Sequence, residues 1–346
     1  MTGYDRKYAN VLLLSAPVSP KKRPLKRSSR YTQETRTAIL DLWRAAGEIC
    51  GERLHPFIPD LLEQLEHCGR MTLTAGTRTQ VLTVSLGTVK RIVGKEKRRS
   101  LIRIGGTTKP GSLLKHQIAV RTGPWNETEP GWMEMDTVAH CGNSLQGSFL
   151  SSLDLVDVYS HWSEQYAISG CTGQAVEGAL TTIRKSVPFP LKGLDPDNGS
   201  EFINWSIYWY CKREEIGLTR SRPGKKNDNA HIEQKNWTAI RQRVGYARME
   251  GPELQALLND LYRNEWRLFV NFFQPTQKIR EKHFDSATGK TKRIYEKART
   301  PYQRLMACAT LSEEAKAALK TQYEQLDPVA LLETIHLKLE RIKKGV

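Results

Sequence analysis

Residues 132–138, Trp-Met-Glu-Met-Asp-Thr-Val, open the part of the chain that decides its fold class. Their apolar residues predict a first strand that runs through Asp136. Two more strands are predicted over residues 149–158 and 163–168, so three strands follow one another before any helix.

The segments after residue 168 alternate between helix and strand. They are predicted to be a helix over residues 173–187, a strand over 191–195, an aromatic-rich helix over 202–211, a strand over 218–221 and a polar helix after Asn229. Three strands followed by such alternation predict an α/β domain, with a mixed five-stranded sheet and helices on its faces.

The rest of the chain is predicted to be mainly helical. From the N-terminus, we expect a basic flexible arm (1–30), a helical region (31–100), a Gly- and Pro-containing linker (101–125), the α/β core (126–246) and a mainly helical region (247–346) with a hairpin over 279–296. No apolar run approaches the roughly 20 residues that a membrane span requires. We therefore expect a cytoplasmic protein without a membrane partner.

Positive charge is concentrated before the α/β core. The formal net charge is +16, and residues 1–125 carry 23 Lys and Arg against 9 Asp and Glu. Residues 126–245 carry 12 against 15, and residues 246–346 carry 18 against 13. A basic N-terminal part joined to a slightly acidic middle is typical of a separate nucleic-acid-binding module.

Residues 77–94 have the pattern of a helix-turn-helix, and a plain helical bundle is the alternative. Ser85 is placed to cap a second helix whose apolar face comprises Leu86, Val89, Ile92 and Val93. This leaves Thr88, Lys90 and Arg91 pointing outward, the residue types that contact bases and phosphates in a major groove. Lys95, Lys97, Arg98 and Arg99 follow and are expected to track the DNA backbone.

Three carboxylates occupy distinctive places in the core. Asp136 lies on the first strand, Asp197 follows the short fourth strand, and Glu233 lies in the first turn of the polar helix. Singly, each has an ordinary structural explanation, as a turn residue or a helix-dipole partner. Together, in this order, they form the cluster that phosphoryl transfer on DNA requires, because two divalent cations can clamp the attacking and leaving oxygens.

Oxygen ligands favour Mg²⁺, and Mn²⁺ is expected to substitute for it. A zinc site is the alternative use of four cysteines and histidines, and their spacing disfavours it: Cys50, His55, His67 and Cys68. Adjacent ligands such as His67 and Cys68 chelate one ion poorly, and zinc ligands are usually separated by two to four residues.

Several neighbouring residues are secondary candidates. Asp195 is the alternative to Asp197 as a ligand, and Asp154 and Asp157 are predicted to be turn or edge residues. His140 and His231 flank the acids and are expected to support them without binding metal. Three side chains after Glu233 are predicted to reach DNA, with core packing the alternative for the tryptophan: Lys235, Trp237 and Arg241.

The acidic motifs resemble the catalytic core of retroviral integrases and of related bacterial insertion-sequence transposases of the DDE type. The resemblance rests on Asp-Asn-Gly-Ser-Glu-Phe at Asp197, Asn-Ala-x-x-Glu at Glu233, and the thirty-five residues between the two acids. It implies an RNase H-like fold with Asp136, Asp197 and Glu233 as metal ligands. It also implies that Asn198 and Gly199 shape the active-site turn and that Asn229 supports the glutamate helix.

The function that this resemblance implies is a transposase. It would bind the terminal inverted repeats of a mobile element, cut the DNA and transfer the freed 3′-hydroxyl to target DNA. Two double-stranded DNA ends must be held together, so a homo-oligomer on DNA, associated with the nucleoid, is expected. A DNA-binding regulator or transposition inhibitor with an inactive core, and a nuclease of RNase H type, are the alternatives.

Overall fold

The computed structural model describes residues 31–97, 118–121, 125, 127–197, 199–221, 232, 235–285 and 289–346. Within these ranges the central part of the chain is an α/β unit, as the sequence predicts. Among the described helices, none combines the length and the apolar character that crossing a membrane requires.

A mixed sheet forms the centre of the molecule. Its strands are β1 (Ala119–Val120), β2 (Trp132–Ala139), β3 (Leu150–Asp157), β4 (Ser163–Ser169), β5 (Gly193–Pro196) and β6 (Gly217–Arg220). Their order in the sheet is β1-β6-β5-β2-β3-β4. β3 is antiparallel to β2 and β4, whereas β5 is parallel to β2 and β6. The predicted five-stranded mixed sheet is therefore confirmed.

The sheet has one strand more than the sequence predicts. Ala119–Val120, inside the predicted linker, pairs with β6 in parallel and forms the edge. Ile118 is buried beside this edge and packs against Ile203. This end of the predicted linker is thus part of the core unit, because its backbone completes the hydrogen bonding of β6.

Two capped helices flank the sheet. They are α5 (Gly173–Arg184) and α6 (Trp205–Arg213), which follow four N-terminal helices in the chain and connect the later strands of the sheet. Thr172 and Asn204 are their N-caps, each accepting a hydrogen bond from a backbone N–H in the first turn. Both helices were predicted, with ends shifted by a few residues.

The N-terminal helices pack against the C-terminal region. They are α1 (Gln33–Ala45), α2 (Gly51–His67), α3 (Ala75–Leu82) and α4 (Leu86–Lys97). Buried apolar residues of these helices belong to the same continuous hydrophobic cluster as those of the C-terminal region. The Gln64 side chain also donates to the carbonyl oxygens of Leu326 and Tyr323, at 2.7 and 3.2 Å. The described part of the basic module is therefore joined to the rest of the protein by a shared core.

The C-terminal region is mainly helical, as predicted. A π-helical turn (Asn236–Arg241) and the short helix Gln242–Val244 form α7; then come α8 (Pro252–Leu261), a π-helical turn (Tyr262–Trp266), α9 (Arg267–Phe273), α10 (Pro301–Met306), α11 (Glu313–Glu324) and α12 (Pro328–Lys344). Strands β7 (Ile279–Asp285) and β8 (Lys290–Tyr295) pair antiparallel, which confirms the predicted hairpin.

Candidate active site

Asp136 and Asp197 lie side by side on neighbouring strands. The parallel pairing of β2 with β5 ends at Met135 opposite Pro196, and Asp136 and Asp197 are the residues that follow immediately on each chain segment. Neighbouring strands are about 4.8 Å apart, so such a pair of residues lies close together. The structure thus brings together two of the three predicted acids.

The carboxyl of Asp136 has an unusually high affinity for protons. Burial is the first cause and the charge of Asp197 the second, and together they raise the pKa of Asp136 to about 8. Two hydrogen bonds partly offset this, from the Thr137 N–H at 2.7 Å and from Asn236 Nδ2 at 2.6 Å. Asp136 as a whole residue is half-buried.

Asp197 organises the turn that follows β5. Its Oδ1 accepts a hydrogen bond from the Gly199 N–H at 2.8 Å. A Cβ on Gly199 would lie 2.9 Å from that oxygen and 2.7 Å from the Glu201 carboxyl carbon, so no larger residue fits without displacing the acids. Burial, and then the charge of Glu201, raises the pKa of Asp197. Asn198 lies outside the described residues.

Glu201 is a third carboxylate at this edge, and it is absent from the set predicted from sequence. It accepts a hydrogen bond from Thr137 Oγ1 at 2.8 Å, which links the turn to β2. The available signal was its position, four residues after Asp197 in the same acidic motif. A turn that returns to the strand edge brings these two carboxylates together.

The segment that carries Glu233 is anchored to β2 on both sides. The backbone N–H of Ile232 donates to Glu134 Oε2 at 3.0 Å, and the Asn236 side chain donates to Asp136. Glu134 is fully buried, and burial raises its pKa to about 7. Glu233 itself lies outside the described residues, as do Asn229 and His231. Glu134 and Asn236 are functional candidates that the sequence reasoning missed.

Asp195, the alternative ligand, is neutralised by the protein. It is fully buried, and its Oδ2 forms an ion pair with Arg121 Nε at 3.1 Å. Its Oδ1 accepts a hydrogen bond from the Thr219 hydroxyl. A carboxylate already matched by a cation and sealed from solvent is poorly placed to hold a metal ion.

Asp154 is neither a turn nor an edge residue, contrary to the prediction. It lies opposite Asp136 in the middle of the sheet, fully buried, and Gln165 Nε2 donates to it at 2.7 Å. Asp157 does fit the predicted turn role, because it ends β3 and accepts the backbone N–H groups of Gly131 and Ser160. The prediction for Asp154 was wrong because a central strand with polar residues on one face has the same sequence pattern as an exposed edge strand.

Lys235 does not point to solvent, so its predicted role as a DNA contact is wrong. The side chain is buried and lies in the field of Asp154. Burial lowers the pKa of Lys235 and raises that of Asp154, and the attraction between the two charges opposes both shifts. Lys235 thereby secures the segment after Glu233 against the sheet.

Trp237 and Arg241 do not share a face. Trp237 is 43% exposed, so the alternative of core packing is wrong for this residue. The Arg241 guanidinium instead turns inward and donates to the Ala139 carbonyl at 2.8 Å. The π-helical turn explains the difference, since its i→i+5 hydrogen bonds break the four-residue α-helical spacing that the prediction assumed.

His140, which flanks the acids, and the residues considered for a zinc site form hydrogen bonds within the protein. His140 is fully buried, its Nε2 lies 2.7 Å from the Ser152 hydroxyl, and burial lowers its pKa to about 3. In the set weighed for zinc, His55 Nε2 lies 2.9 Å from the Val84 carbonyl, and the Cys68 thiol donates to the Leu326 carbonyl.

In α4, the second helix of the predicted helix-turn-helix, only some of the side chains that were expected to contact DNA are exposed. Thr88 is buried and Leu86 is exposed, so both were assigned to the wrong face. Thr88 accepts a hydrogen bond from Arg91 at 3.0 Å, whereas Lys90 forms an ion pair with Glu52 at 2.5 Å. Arg91 and Lys90 are exposed, as predicted. Arg98 and the Lys97 side chain lie outside the described residues.

The charges around Asp136 indicate whether a cation fits there. Two adjacent carboxylates with raised pKa values form an arrangement that a divalent ion stabilises, because it supplies the missing positive charge. Within the described ranges, which leave out Glu233, no group of three or more His, Cys, Asp and Glu side chains could hold a metal. Asp136 and Asp197 fit an oxygen-liganded cation that draws a further ligand from elsewhere.

The chain was compared with known proteins. No family model matches it. It is 40% identical over 287 residues to a protein of Sinorhizobium fredii (strain NBRC 101917 / NGR234) named "Uncharacterized protein y4rM". The alignment covers 82% of this chain and 80% of that protein.

Proposed function

Because the chain belongs to the same family as the uncharacterized y4rM protein of Sinorhizobium fredii, whose name states no activity, we propose its function from its own residues. We propose that it is a DDE-type DNA transposase with an RNase H-like core. Asp136, Asp197 and Glu233 would hold Mg²⁺, or Mn²⁺ in its place. The α/β core with a mixed sheet and flanking helices is compatible with this proposal.

Among the residues that the structure describes, Asp136 and Asp197 form a pair of carboxylates without a cationic partner, and this is the single observation that carries the proposal. Buried or half-buried carboxylates elsewhere in the same sheet have cationic neighbours, such as Arg121 at Asp195 and Lys235 near Asp154. At Asp136, burial and the charge of Asp197 raise the pKa, and both residues are half-buried. Perturbed carboxylates in such a setting are candidates for function.

Each residue has a defined task in this proposal. A bound divalent cation would polarise the scissile phosphodiester and the attacking hydroxyl. Gly199 allows the Asp197 turn to approach Glu201, and the Asn236 amide orients the Asp136 carboxyl. Glu134 and Lys235 hold the residues on either side of Glu233 and Gln234 against the sheet. Positioning of this kind lowers the entropic cost of in-line attack.

DNA recognition is assigned to the N-terminal helices. We propose that α3 and α4 act as a helix-turn-helix that binds terminal inverted repeats, with Arg91 the described side chain best placed for base contact. Trp237 is retained as a DNA contact near the active site because it is exposed. Joining two DNA ends would require at least two copies of the chain.

Cleavage of DNA that flanks the gene tests the proposal. Labelled duplexes spanning the candidate repeats would be incubated with the full chain and Mg²⁺, and nicks would be mapped at nucleotide resolution. We expect Asp136→Asn, Asp197→Asn and Glu233→Gln to abolish cleavage while gel-shift binding persists. These substitutions remove metal ligands and also a charge that repels phosphate.

Two control variants are needed to interpret the cleavage assay. Asp195→Asn should retain cleavage, because Asp195 is matched by Arg121 and is not a ligand in this proposal; Asp41→Asn controls for the loss of an exposed charge. Cleavage that depends on Asp195 but not on Asp197 would overturn the assignment. Binding without any cleavage by the wild type would favour a regulator, and cleavage confined to RNA–DNA hybrids would favour a nuclease.

A further inference from the structure

An aromatic surface on α6 follows the turn of Asp197 and Glu201 in the chain. We infer that Trp205, Tyr208 and Trp209, here called the α6 ridge, stack against unpaired DNA bases beside the cleavage site. This inference deepens the proposed function and rests on it. The partner is nucleic acid with accessible base faces, such as a single-stranded overhang or a melted end.

The two tryptophans of the ridge are exposed, and Tyr208 is partly buried against the small apolar cluster of Ile118. Trp205 is 50% exposed and Trp209 is 59% exposed, while the opposite face of the helix buries Ile207 and Tyr210. The spacing of four residues places the two tryptophans on one side of the helix. Large aromatic side chains left at the surface in a cluster are typical of interaction sites.

The rings hold one another in place. Trp205 and Trp209 are nearly parallel, with centroids 6.2 Å apart and an interplanar angle of 21°. Tyr208 meets both edge to face, at 5.6 and 5.3 Å. The ridge is therefore preorganised, and binding a flat partner would cost it little conformational entropy.

The ridge is also tied to the acidic turn. The Asn204 side chain caps α6 by accepting the Ile207 N–H at 3.1 Å. Its amide donates to the carbonyl oxygens of Ser200 and Glu201, at 3.1 and 2.7 Å. The turn holding Asp197 and Glu201 therefore continues directly into the cap of the helix that carries the ridge.

The charge around the ridge suits a phosphate backbone. Lys212 continues the exposed side of the helix, with its Nζ 5.8 Å from the Tyr208 ring centroid. The neighbouring acids Glu177 and Glu214 are each paired with an arginine. Aromatic rings beside a cation are the usual elements of single-strand binding, since every base offers a face for stacking. Duplex DNA hides those faces.

Binding measurements on the full chain test the inference. Fluorescence anisotropy in EDTA would compare a blunt duplex with the same duplex carrying a short single-stranded overhang. We expect the wild type to prefer the overhang by roughly tenfold in Kd for one stacked base, which corresponds to about 1.4 kcal/mol. The Trp205→Ala/Trp209→Ala variant should lose this preference and keep its affinity for the blunt duplex.

Two further variants sharpen the test. Trp205→Leu/Trp209→Leu keeps apolar surface without rings and should also lose the preference. Phe284→Ala, which removes an exposed ring on β7, should keep it. A preference that survives in the leucine variant, or is absent from the wild type, would overturn the inference. So would a change in the sedimentation coefficient of the DNA-free alanine variant, because the ridge would then be an interface between copies.

This test can fail independently of the proposed activity. It needs no metal and no cleavage, and Asp136→Asn should keep the overhang preference. An inactive protein that shows the preference would refute the transposase while leaving the ridge as a nucleic-acid surface. An active protein without the preference would refute the ridge alone.

Discussion

Two groups of carboxylates on one sheet differ in how their buried negative charge is balanced. At the β5–β6 side, Asp195 is sealed from solvent, paired with Arg121 and bonded to Thr219. Between β2 and the turn after β5, Asp136 and Asp197 are half-buried and have raised pKa values, and the charge of Asp197 contributes to the shift at Asp136. The charge of the first group is matched within the protein, whereas we propose that a bound cation supplies the matching charge in the second.

This contrast separates structure from function among chemically identical side chains. A compensated carboxylate contributes to folding, and removing its partner leaves an unpaired buried charge. An uncompensated pair costs stability, and a fold retains such a cost where it serves binding or catalysis. The following predictions test the contrast from its largest expected effect to its smallest.

Loss of the cation at Asp195 should have the largest effect. Arg121→Ala should lower the free energy of unfolding by about 3–5 kcal/mol, because it strands a buried carboxylate. Chemical denaturation at pH 7 would measure this. Adding Asp195→Asn should recover part of the loss. As a control, Arg44→Ala at the exposed pair with Asp41 should cost about 0–1 kcal/mol. Equal losses at Arg121 and Arg44 would remove the distinction.

Mg²⁺ should stabilise the uncompensated pair. At roughly a hundred times its Kd, the ion should raise the free energy of unfolding of the wild type by about 2.7 kcal/mol. Asp136→Asn and Asp197→Asn should abolish that increase without destabilising the metal-free protein, since burial already disfavours the charged form of both carboxyl groups. Thermal denaturation with and without Mg²⁺ measures both effects. An undiminished Mg²⁺ effect in both variants would place the ion elsewhere.

The same contrast applies to two exposed cations on α4. Lys90 is matched by Glu52, whereas Arg91 donates to the neutral Thr88 hydroxyl. Arg91→Ala should therefore weaken specific DNA binding by about 1–3 kcal/mol if Arg91 contacts a base edge. Lys90→Ala should cost less than about 1 kcal/mol. Competition gel shifts would compare them, and an equal loss in both variants would count against base readout by Arg91.

His140 differs from both groups of carboxylates, because burial leaves its side chain uncharged. Burial lowers its pKa to about 3 in the folded chain, well below the value in the unfolded chain. The unfolded state therefore binds more protons as pH falls from about 6.5 towards 3, and stability is lost across that window. His140→Asn should reduce the slope by about 1.4 kcal/mol per pH unit. Identical acid limbs in wild type and variant would contradict this.

The strand-level prediction succeeded where the local pattern was strong. Apolar runs identified the sheet strands around Asp136, and the Thr172 and Asn204 caps were consistent with both flanking helices. The short strand Ala119–Val120 was missed, because two residues carry no periodicity and its pairing depends on β6. Burial of Thr88 and exposure of Leu86 were also missed, since α4 packs against α2 rather than only against its partner helix.

The amino-acid sequence by itself determined the α/β class, the excess of positive charge before the core and the identity of the acids, because all of these are local or additive properties. Only the tertiary structure decided which acids are compensated. Arg121 meets Asp195, and Lys235 lies in the field of Asp154, through sheet pairing and helix packing across many intervening residues. The spacing of residues along the chain cannot reveal which charges end up adjacent after folding, and that adjacency separates the candidate active site from the structural acids beside it.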